Sequence, residues 1–329
     1  MTARTLAAAA CAVLGLSMAL PASAACSLKT QPIPVTVQGL RPFVTPKING
    51  QEARFLLDSG SIINVINGKL AAKDGLKPQR IASTGSLIGA DRLVGLQGAE
   101  GADTISGVVV APKFELAGAV FKDVSLMATE RGVDGDGLIG QAFLRWTDVE
   151  YDFGGKTVTL VKAEGCGGVN LAYWAKDGVP YSVIPLEWVD KDNPHTEAAV
   201  YINGVRMRAV FDTGSGLTFI TEGAAARAGV KTTDPGVQPA PSYQGLDAEG
   251  RAWIGQFKSI KVGDEEIQNA PLLIGQSANT WYDVLIGADF FLSHHIYVAN
   301  SQGKIYFTYS GGPAFRTPRP QAATAAAQK

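Results

Sequence analysis

Hydrophobic positions in this chain occur in short runs that are separated by turns containing glycine. The dipeptides Asn49-Gly50 and Asn203-Gly204 each lie between two runs in which apolar and polar residues alternate. Asn-Gly at such a position is the strongest short-range indication of a β-hairpin, because both residues tolerate the positive φ angles of a tight turn. The second strand of each hairpin ends in an apolar run, at residues 55–57 and 209–211. The pattern predicts a chain built mainly of short β-strands.

The same succession of elements is present twice along the chain. Ile48-Asn49-Gly50 recurs as Ile202-Asn203-Gly204, at an offset of 154 residues (202 − 48 = 154). Residues 70–77 align with residues 224–231 at the same offset. Leu138-Ile139-Gly140 aligns with Leu285-Ile286-Gly287 at an offset of 147 (285 − 138 = 147), which indicates a deletion in the second copy. Offsets that change gradually and in order are hard to produce by chance, so we predict two tandem copies of one domain.

Other local patterns place further elements in each copy. A short helix is expected near residues 68–75 and again near 222–229, because Gly75 and Gly229 are suited to end it. Glycine-rich stretches follow at 83–107 and 240–256. Further hairpin turns are expected at four positions, Ala117-Gly118, Gly154-Gly155, Gly263-Asp264 and Gln302-Gly303.

The two ends of the chain differ in composition from the duplicated part. An apolar segment, residues 6–20, precedes the small residues Ala22-Ser23-Ala24, so residues 1–24 are predicted to be a secretory signal peptide. An uncleaved membrane anchor and a lipoprotein modified at Cys26 are the alternatives. We expect an N-terminal lobe over 25–165, a C-terminal lobe over 166–312 and a disordered tail over 313–329. The mature protein is then exported, periplasmic or secreted, and has no membrane span.

Composition and charge narrow the class of protein. The 329 residues are 46% apolar and 18% charged, with a formal net charge of −1, which is typical of a globular protein with room for two cores. The near-neutral charge gives no reason to expect a nucleic acid or an anionic membrane surface as a partner. Cys26 and Cys166 are the cysteines that remain after removal of the signal peptide. In an oxidising compartment they can form a disulfide, and two free thiols are the alternative.

A candidate catalytic motif lies at the same place in both copies. Asp58-Ser59-Gly60-Ser61 and Asp212-Thr213-Gly214-Ser215 each follow an apolar run, again 154 residues apart (212 − 58 = 154). A carboxylate that a buried strand delivers to a glycine-containing turn, and that is delivered twice, indicates two aspartates that meet at one site. Two carboxylates in contact cannot both ionise easily, so they share a proton and can act as base and acid toward one water molecule.

These motifs resemble those of the retropepsin-like and pepsin-like aspartic peptidases. The pattern of that clan is apolar-apolar-Asp-(Ser/Thr)-Gly, with a later apolar-apolar-Gly strand that packs beside it. In this chain the later strand is Leu138-Ile139-Gly140 in the first copy and Leu285-Ile286-Gly287 in the second. The resemblance covers the mature chain to about residue 310, and the closer similarity is to bacterial exported proteins of retropepsin type. It implies an all-β fold, with two tandem acid-protease-like β-barrel lobes and the active site between them.

The resemblance also implies a function. Asp58 and Asp212 are expected to be the catalytic pair of an aspartic endopeptidase that hydrolyses polypeptides without a cofactor or a metal ion. Because both lobes belong to one chain, a monomer is expected to hold the complete site. A peptide-binding or regulatory protein of the same fold, which does not cleave its ligand, is the alternative.

The residues that follow each aspartate are expected to support the site. Ser59 and Thr213 resemble the residues whose hydroxyls cross-link the two turns in this clan. The glycine at the next position of each turn lets other groups approach the carboxylates closely. The hydroxyls of Ser61 and Ser215 are expected to donate to the outer carboxylate oxygens, which lowers the pH range over which the pair titrates. Gly140 and Gly287 are expected to let the later strand cross close to the active turn.

Two other features have simpler interpretations than a functional site, whereas a third is a candidate for contact with the substrate. Asp134 and Asp136 lie in a glycine-rich turn, but a calcium loop needs a distal bidentate glutamate that is missing here. The adjacent His294 and His295 point to opposite faces of a strand, which argues against a zinc site or a serine-type triad. Tyr243 is a candidate for an aromatic residue on a flap that closes over the substrate, although the clan pattern places that residue in the first lobe.

Overall fold

The computed structural model describes residues 25–79, 97–98, 101–102, 105–130, 133–176, 178–188, 193–241, 251–276 and 281–318. Several predicted features lie outside these ranges, namely the signal peptide at 1–24, the larger part of both glycine-rich stretches with Tyr243, and most of the tail, at 319–329.

The first copy contains fourteen described strands and two short helices. The strands are β1 Ser27–Pro34, β2 Thr36–Gln38, β3 Arg41–Val44, β4 Lys47–Ile48, β5 Gln51–Glu52, β6 Phe55–Leu57, β7 Val65–Asn67, β8 Gln97–Gly98, β9 Gly101–Ala102, β10 Ile105–Leu116, β11 Ala119–Thr129, β12 Gly137–Ile139, β13 Asp148–Asp152 and β14 Thr157–Glu164. The helices are α1 Gly68–Lys73 and α2 Gln141–Leu144.

The second copy repeats this order with ten described strands and two helices. The strands are β15 Ser182–Pro185, β16 Glu197–Ile202, β17 Val205–Phe211, β18 Phe219–Thr221, β19 Gln238–Ala240, β20 Ala252–Val262, β21 Glu265–Gly275, β22 Val284–Ile286, β23 His294–Ala299 and β24 Lys304–Tyr309. The helices are α3 Glu222–Arg227 and α4 Ala288–Ser293.

Each copy forms its own mixed, mainly antiparallel sheet, and the predicted all-β fold of two tandem lobes is confirmed. The first lobe has the strand order β2-β3-β6-β12-β7-β11-β10-β4-β5. The second has the order β16-β17-β22-β18-β21-β20-β19, and β16 also pairs with β20, which closes the sheet into a barrel. In both lobes the short inner strand, β12 or β22, runs parallel to the strand that leads to an aspartate.

A third sheet is shared between the two copies. Its six strands have the order β1-β14-β13-β23-β24-β15, and the copies meet where β13 pairs with β23. The hairpins that close the copies, near Gly154-Gly155 and Gln302-Gly303, therefore leave their own lobes and join each other. The predicted lobe boundary at residue 165 does not assign this sheet to either lobe. Strands β1, β13 and β14 come from the first copy, and β15, β23 and β24 come from the second.

The predicted hairpin turns and helices are present at the expected residues, but in the first copy the second strand of the Asn49-Gly50 hairpin is only Gln51–Glu52, and the apolar run Phe55–Leu57 is the separate strand β6, which pairs with β3 and β12. Asn49 and Gly50 have φ angles of 49° and 86°, and Asn203 and Gly204 have φ angles of 50° and 79°, as a tight turn of this type requires. The N-terminal end of α1 is capped by Asn67, whose side chain accepts a hydrogen bond from the N–H of Lys69 at 2.9 Å.

Cys26 and Cys166 form a disulfide in the structure, with their Cα atoms 4.4 Å apart. The register of β1 against β14 explains this proximity, because Ser27 pairs with Glu164 at the end of the ladder. The bridge links residues 140 positions apart and lies at the edge of the shared sheet.

The predicted tail at 313–329 differs from the structure in its first residues. Ala314 and Phe315 are buried, and the ring of Phe315 lies over the ring of Phe290 with a centroid distance of 5.9 Å. Composition alone suggested disorder because large apolar residues are rare after Gly311, but Phe315 packs on Phe290 and the N–H of Arg316 donates to Asp289, and these contacts dock residues 313–316 on the second lobe. Among the described residues, no helix is both long enough and apolar enough to span a bilayer.

Candidate active site

Two inner strands, β12 and β22, fix the backbone positions of the two aspartates through hydrogen bonds. Asp58 follows β6, and its N–H donates to the carbonyl of Ile139 in β12 at 2.9 Å. Asp212 follows β17, and its N–H donates to the carbonyl of Ile286 in β22 at the same distance, 2.9 Å. The inner-strand residues Leu138-Ile139 and Leu285-Ile286 are buried. Each aspartate is therefore hydrogen-bonded to a strand that cannot shift easily.

Within each turn, backbone N–H groups hold one oxygen of the carboxylate. Oδ1 of Asp58 accepts hydrogen bonds from the N–H of Gly60 at 3.0 Å and of Ser61 at 2.9 Å. Oδ1 of Asp212 accepts the equivalent bonds from Gly214 at 2.8 Å and Ser215 at 3.2 Å. These donors favour the ionised form of each carboxylate.

The hydroxyls of Ser61 and Ser215 have other acceptors than the sequence suggested. The Ser61 hydroxyl donates to the carbonyl of Ile63 at 3.0 Å, and the Ser215 hydroxyl donates to the carbonyl of Leu217 at 2.8 Å. The expected donation to the carboxylate is made by the backbone N–H of the same residues. The reason is local geometry, because a serine after the glycine closes a small turn onto the carbonyl two residues further along.

Ser59 and Thr213 connect the two turns across the boundary between the lobes. The hydroxyl of Ser59 donates to the carbonyl of Phe211 at 2.7 Å and accepts from the N–H of Thr213 at 3.0 Å. The hydroxyl of Thr213 donates to the carbonyl of Leu57 at 2.7 Å and accepts from the N–H of Ser59 at 3.0 Å. Both residues are buried. The four bonds are related by the internal duplication and fix one turn against the other.

Gly60 and Gly214 are required because each turn lies against the carboxylate of the other lobe. A β-carbon on Gly60 would lie 2.2 Å from Cγ of Asp212, and one on Gly214 would lie 2.3 Å from Cγ of Asp58. No side chain can occupy that space. The structure therefore brings Asp58 and Asp212 together face to face at one site between the lobes.

Gly140 and Gly287 pack against the chain that leaves each active turn. A β-carbon on Gly140 would lie 2.2 Å from the carbonyl oxygen of Ile63, and one on Gly287 would lie 2.4 Å from the carbonyl carbon of Leu217. These glycines let α2 and α4 begin directly behind the turns.

Sequence reasoning missed three residues that support the turns. The side chain of Asn64 accepts from the N–H of Gly140 at 3.0 Å, and the hydroxyl of Thr218 accepts from the N–H of Gly287 at 2.9 Å. Both are polar residues inside apolar runs, and they lie 154 positions apart (218 − 64 = 154). This repeated polar position could have indicated their role from the sequence. Gln141, which donates from Nε2 to the carbonyl of Ser59 at 2.8 Å, has alanine as its counterpart and gave no such signal.

The environment makes it difficult to ionise both carboxylates. The pKa of Asp58 lies well above its ordinary value because of burial first, and then because of the charge of Asp212 and a hydrogen bond to it. Burial also raises the pKa of Asp212, while the N–H of Gly214 and the guanidinium of Arg41 act in the opposite direction. A pair of this kind holds one proton over a wide pH range and can give and take protons at the same place.

The other polar residues considered from the sequence have structural partners. Asp136 accepts from the N–H of Arg54 at 2.8 Å, and its counterpart Asp283 accepts from the N–H of Arg208 at 2.9 Å, so both hold the turn before an inner strand. His294 contacts Glu265 at 2.9 Å. His295 contacts Glu150 at 2.8 Å, on the other face of β23.

Comparison with known proteins agrees with this geometry. The model of the aspartyl protease family matches residues 44–143 and 198–290, one segment in each lobe and together more than half of the chain. The chain therefore belongs to the aspartyl protease family.

Solved structures of two proteases are similar to this chain at low sequence identity. One is a retropepsin-like aspartic protease from Rickettsia conorii, with 16% identity over 42% of this chain and 95% of that chain, and a TM-score of 0.28. The other is an aspartic proteinase from Irpex lacteus, with 11% identity over 87% of this chain and 98% of that chain, and a TM-score of 0.49. A search of curated protein sequences gave no match.

Proposed function

We propose that this chain is an exported aspartic endopeptidase whose catalytic pair is Asp58 and Asp212. The observation that carries the proposal is the pair of carboxylates in two turns that are cross-linked by Ser59 and Thr213. Membership of the aspartyl protease family supports a polypeptide as the substrate. The signal-peptide pattern at residues 1–24 supports export.

Hydrolysis needs one ionised and one protonated carboxyl group. Burial raises the pKa of both carboxyl groups, and well above the ordinary value for Asp58, whereas the charge of Arg41 opposes the rise at Asp212, so we assign Asp212 as the base and Asp58 as the acid. Asp212 takes a proton from a water molecule, whose oxygen attacks the carbonyl carbon of the peptide. Asp58 gives its proton to the carbonyl oxygen. When the C–N bond breaks, the leaving nitrogen takes the proton from Asp212, and one hydroxyl of the tetrahedral intermediate gives its proton to Asp58, so the pair returns to its one-proton state.

Loss of either carboxyl group tests the assignment. Mature chain carrying Asp58→Asn or Asp212→Asn should fold normally and hydrolyse a peptide library at least roughly 10³-fold more slowly than the unsubstituted chain. Asp123→Asn is a matched control, because Asp123 is exposed on β11 and its φ of 54° is one that asparagine also adopts. Wild-type turnover in Asp212→Asn would show that the pair is assigned wrongly. Specific peptide binding by a chain that never cleaves would favour a peptide-binding protein instead.

A further inference from the structure

The second lobe contains a buried carboxylate that has no part in the proposed mechanism. Asp289 lies in α4, two residues after Gly287, and is fully buried. Its Oδ1 accepts hydrogen bonds from the N–H of Thr218 at 2.9 Å, the hydroxyl of Thr218 at 2.7 Å and the N–H of Phe290 at 2.9 Å. Its Oδ2 accepts from the N–H of Arg316 at 2.9 Å. The carboxylate joins the chain after the second active turn to a segment near the C-terminus.

Thr218 is part of the support of Asp212. Its hydroxyl accepts from the N–H of Gly287, and the carbonyl of Ser215 accepts from the N–H of Ala288 at 2.7 Å. These bonds hold residues 212–218, which we call the second active loop, against the start of α4. A shift at Thr218 is passed along three residues to the N–H of Ser215, which donates to Asp212.

The first lobe has no equivalent carboxylate. Asn64 takes the place of Thr218, and at the offset of the inner strands the counterpart of Asp289 is Ala142 (289 − 147 = 142). In the first lobe one amide side chain binds Gly140 directly, whereas in the second lobe the hydroxyl that binds Gly287 is itself held by Asp289. Asp289 therefore connects the second active loop to a remote segment, and its counterpart Ala142 has no polar side chain that could do the same in the first lobe.

That remote segment packs on the second lobe. We call residues 313–316 the C-terminal strap. Within it Ala314 and Phe315 are buried, and Phe315 stacks on Phe290 at a ring angle of 22°. The ring of Phe290 also contacts Phe211, the residue before Asp212, with a centroid distance of 6.2 Å. The strap is thus coupled to the second active loop through one hydrogen-bonded carboxylate and one chain of aromatic contacts.

We propose that Asp289 is a positioning residue through which the C-terminal strap holds the second active loop in its catalytic geometry. The inference rests on the proposed peptidase function. It makes turnover dependent on a segment about a hundred residues after Asp212 in the sequence. Because Asp289 is fully buried, it does not contact the substrate, so its loss affects turnover more than substrate binding.

Two truncations of the mature chain form the first test. A chain that ends at Gly312 lacks the strap, and a chain that ends at Pro318 keeps it and is the matched control. We expect the shorter chain to lose roughly 10-fold or more in kcat while its KM changes by less than about 2-fold. The control should have the kcat of the full mature chain. Equal kcat for the two truncated chains would overturn the proposal.

Two point variants keep the test decisive if the shorter chain does not fold. Arg316→Pro removes the N–H that Asp289 accepts, whereas Arg316→Ala retains it. We expect Arg316→Pro and Asp289→Asn to lower kcat to a similar extent and Arg316→Ala to leave it unchanged. Because Arg316→Pro and Asp289→Asn remove the same hydrogen bond, the double variant should lose little more than either single one. A normal kcat in Arg316→Pro would contradict the role of the strap.

Hydrogen exchange separates this inference from the proposed function. In an Asp58→Asn background, the amide of Thr218 should exchange at least roughly 10-fold faster in Arg316→Pro than in Arg316→Ala, because the acceptor Asp289 is no longer fixed. That result supports the strap even if the unsubstituted chain cleaves no peptide, in which case only the proposed function fails. Identical exchange at Thr218 in the two variants overturns the strap whatever the activity.

Discussion

At the scale of single residues, the hydroxyls of Ser59 and Thr213 explain how two lobes form one site. Each hydroxyl donates to a carbonyl of the other lobe and accepts from an N–H of the other lobe. A hydroxyl is the smallest side-chain group that can do both, and it fits between two backbones that cross closely. The position after each aspartate is therefore restricted to serine or threonine by hydrogen bonding as well as by space.

Replacing one hydroxyl by a methyl group of the same size tests this restriction. Thr213→Val leaves the carbonyl of Leu57 and the N–H of Ser59 buried without those partners, so the free energy of unfolding should fall by about 2–4 kcal/mol. Turnover should fall as well, because the turns lose their mutual alignment. Urea denaturation and peptide hydrolysis measure the two effects. Thr213→Ser, which keeps the hydroxyl, is the control, and equal stability of the valine and serine variants would refute the argument.

The pH dependence of turnover should respond to Arg41. Burial raises the pKa of Asp212, and the positive charge of Arg41 opposes this rise by stabilising the ionised carboxylate. In Arg41→Gln this pKa rises, and the acidic limb of the bell-shaped pH–rate profile should move to higher pH. Arg54→Gln is the control, because Arg54 also contacts Asp134 but is not among the groups that shift the pKa of either aspartate. An acidic limb that stays in place in Arg41→Gln, or that moves equally in both variants, would exclude this role of Arg41.

At the scale of elements, the inner strands and the segments that follow them place the carboxylates. β12 and β22 lie between two strands of their own lobe, and the glycine after each one touches the backbone beyond the active turn. These contacts are backbone to backbone, so no rearrangement of side chains can make room for a larger residue. The site depends on two positions at which the chain has no side chain at all.

Gly140→Ala should therefore be severely destabilising. Its β-carbon would lie 2.2 Å from the carbonyl oxygen of Ile63, which can be relieved only by moving the inner strand or the active turn. We expect the free energy of unfolding to fall by about 3 kcal/mol or more, with loss of turnover, in urea denaturation and peptide hydrolysis. Gly154→Ala is the control, since its nearest contact would be an ordinary 3.6 Å to Asp152. If the two variants were equally stable, the inner strand would not be as closely packed as described.

The sequence predicted local elements better than contacts between distant ones. The Asn-Gly hairpins follow from residues 49–50 and 203–204 alone, and the duplication located the inner strands without any geometry. The acceptor of the Ser61 hydroxyl was predicted wrongly, because the choice between a carboxylate and the carbonyl of Ile63 is made by turn geometry within a few ångströms. Gln141 was missed because its role exists only in one copy and depends on where α2 begins.

At the scale of the whole molecule, the six-stranded sheet shared by the two copies joins the lobes. The pairing of β13 with β23 links residues almost 150 positions apart, and neither strand carries a local sign of its partner. Predicting the strands of each copy separately therefore cannot reveal this sheet, because its central pairing depends on how the two lobes pack against each other. The segment that connects the lobes is also anchored to it, because Cys166 binds Cys26 beside β1.

The disulfide is predicted to stabilise the fold without acting on catalysis. It closes a loop of 140 residues, and in the chain-entropy model its removal costs roughly 3–5 kcal/mol. Replacing both cysteines by serine should lower the free energy of unfolding by that amount while turnover at room temperature is retained. The unsubstituted chain in the presence of a reductant should behave like the double variant. Two titratable thiols in the denatured chain without reductant would show that the bridge does not form.

The arrangement of the lobes finally predicts that one molecule is sufficient for activity. Asp58, Asp212 and the four hydrogen bonds between their turns belong to one chain, and β13 pairs with β23 of that chain. Specific activity should therefore stay constant on dilution, with light scattering giving the mass of a monomer. Mixing experiments sharpen the test, because a site assembled from two chains would regain activity when Asp58→Asn and Asp212→Asn chains are refolded together. We expect no activity from that mixture. Recovered turnover would mean that lobes of different molecules combine, as they would in an exchanged dimer.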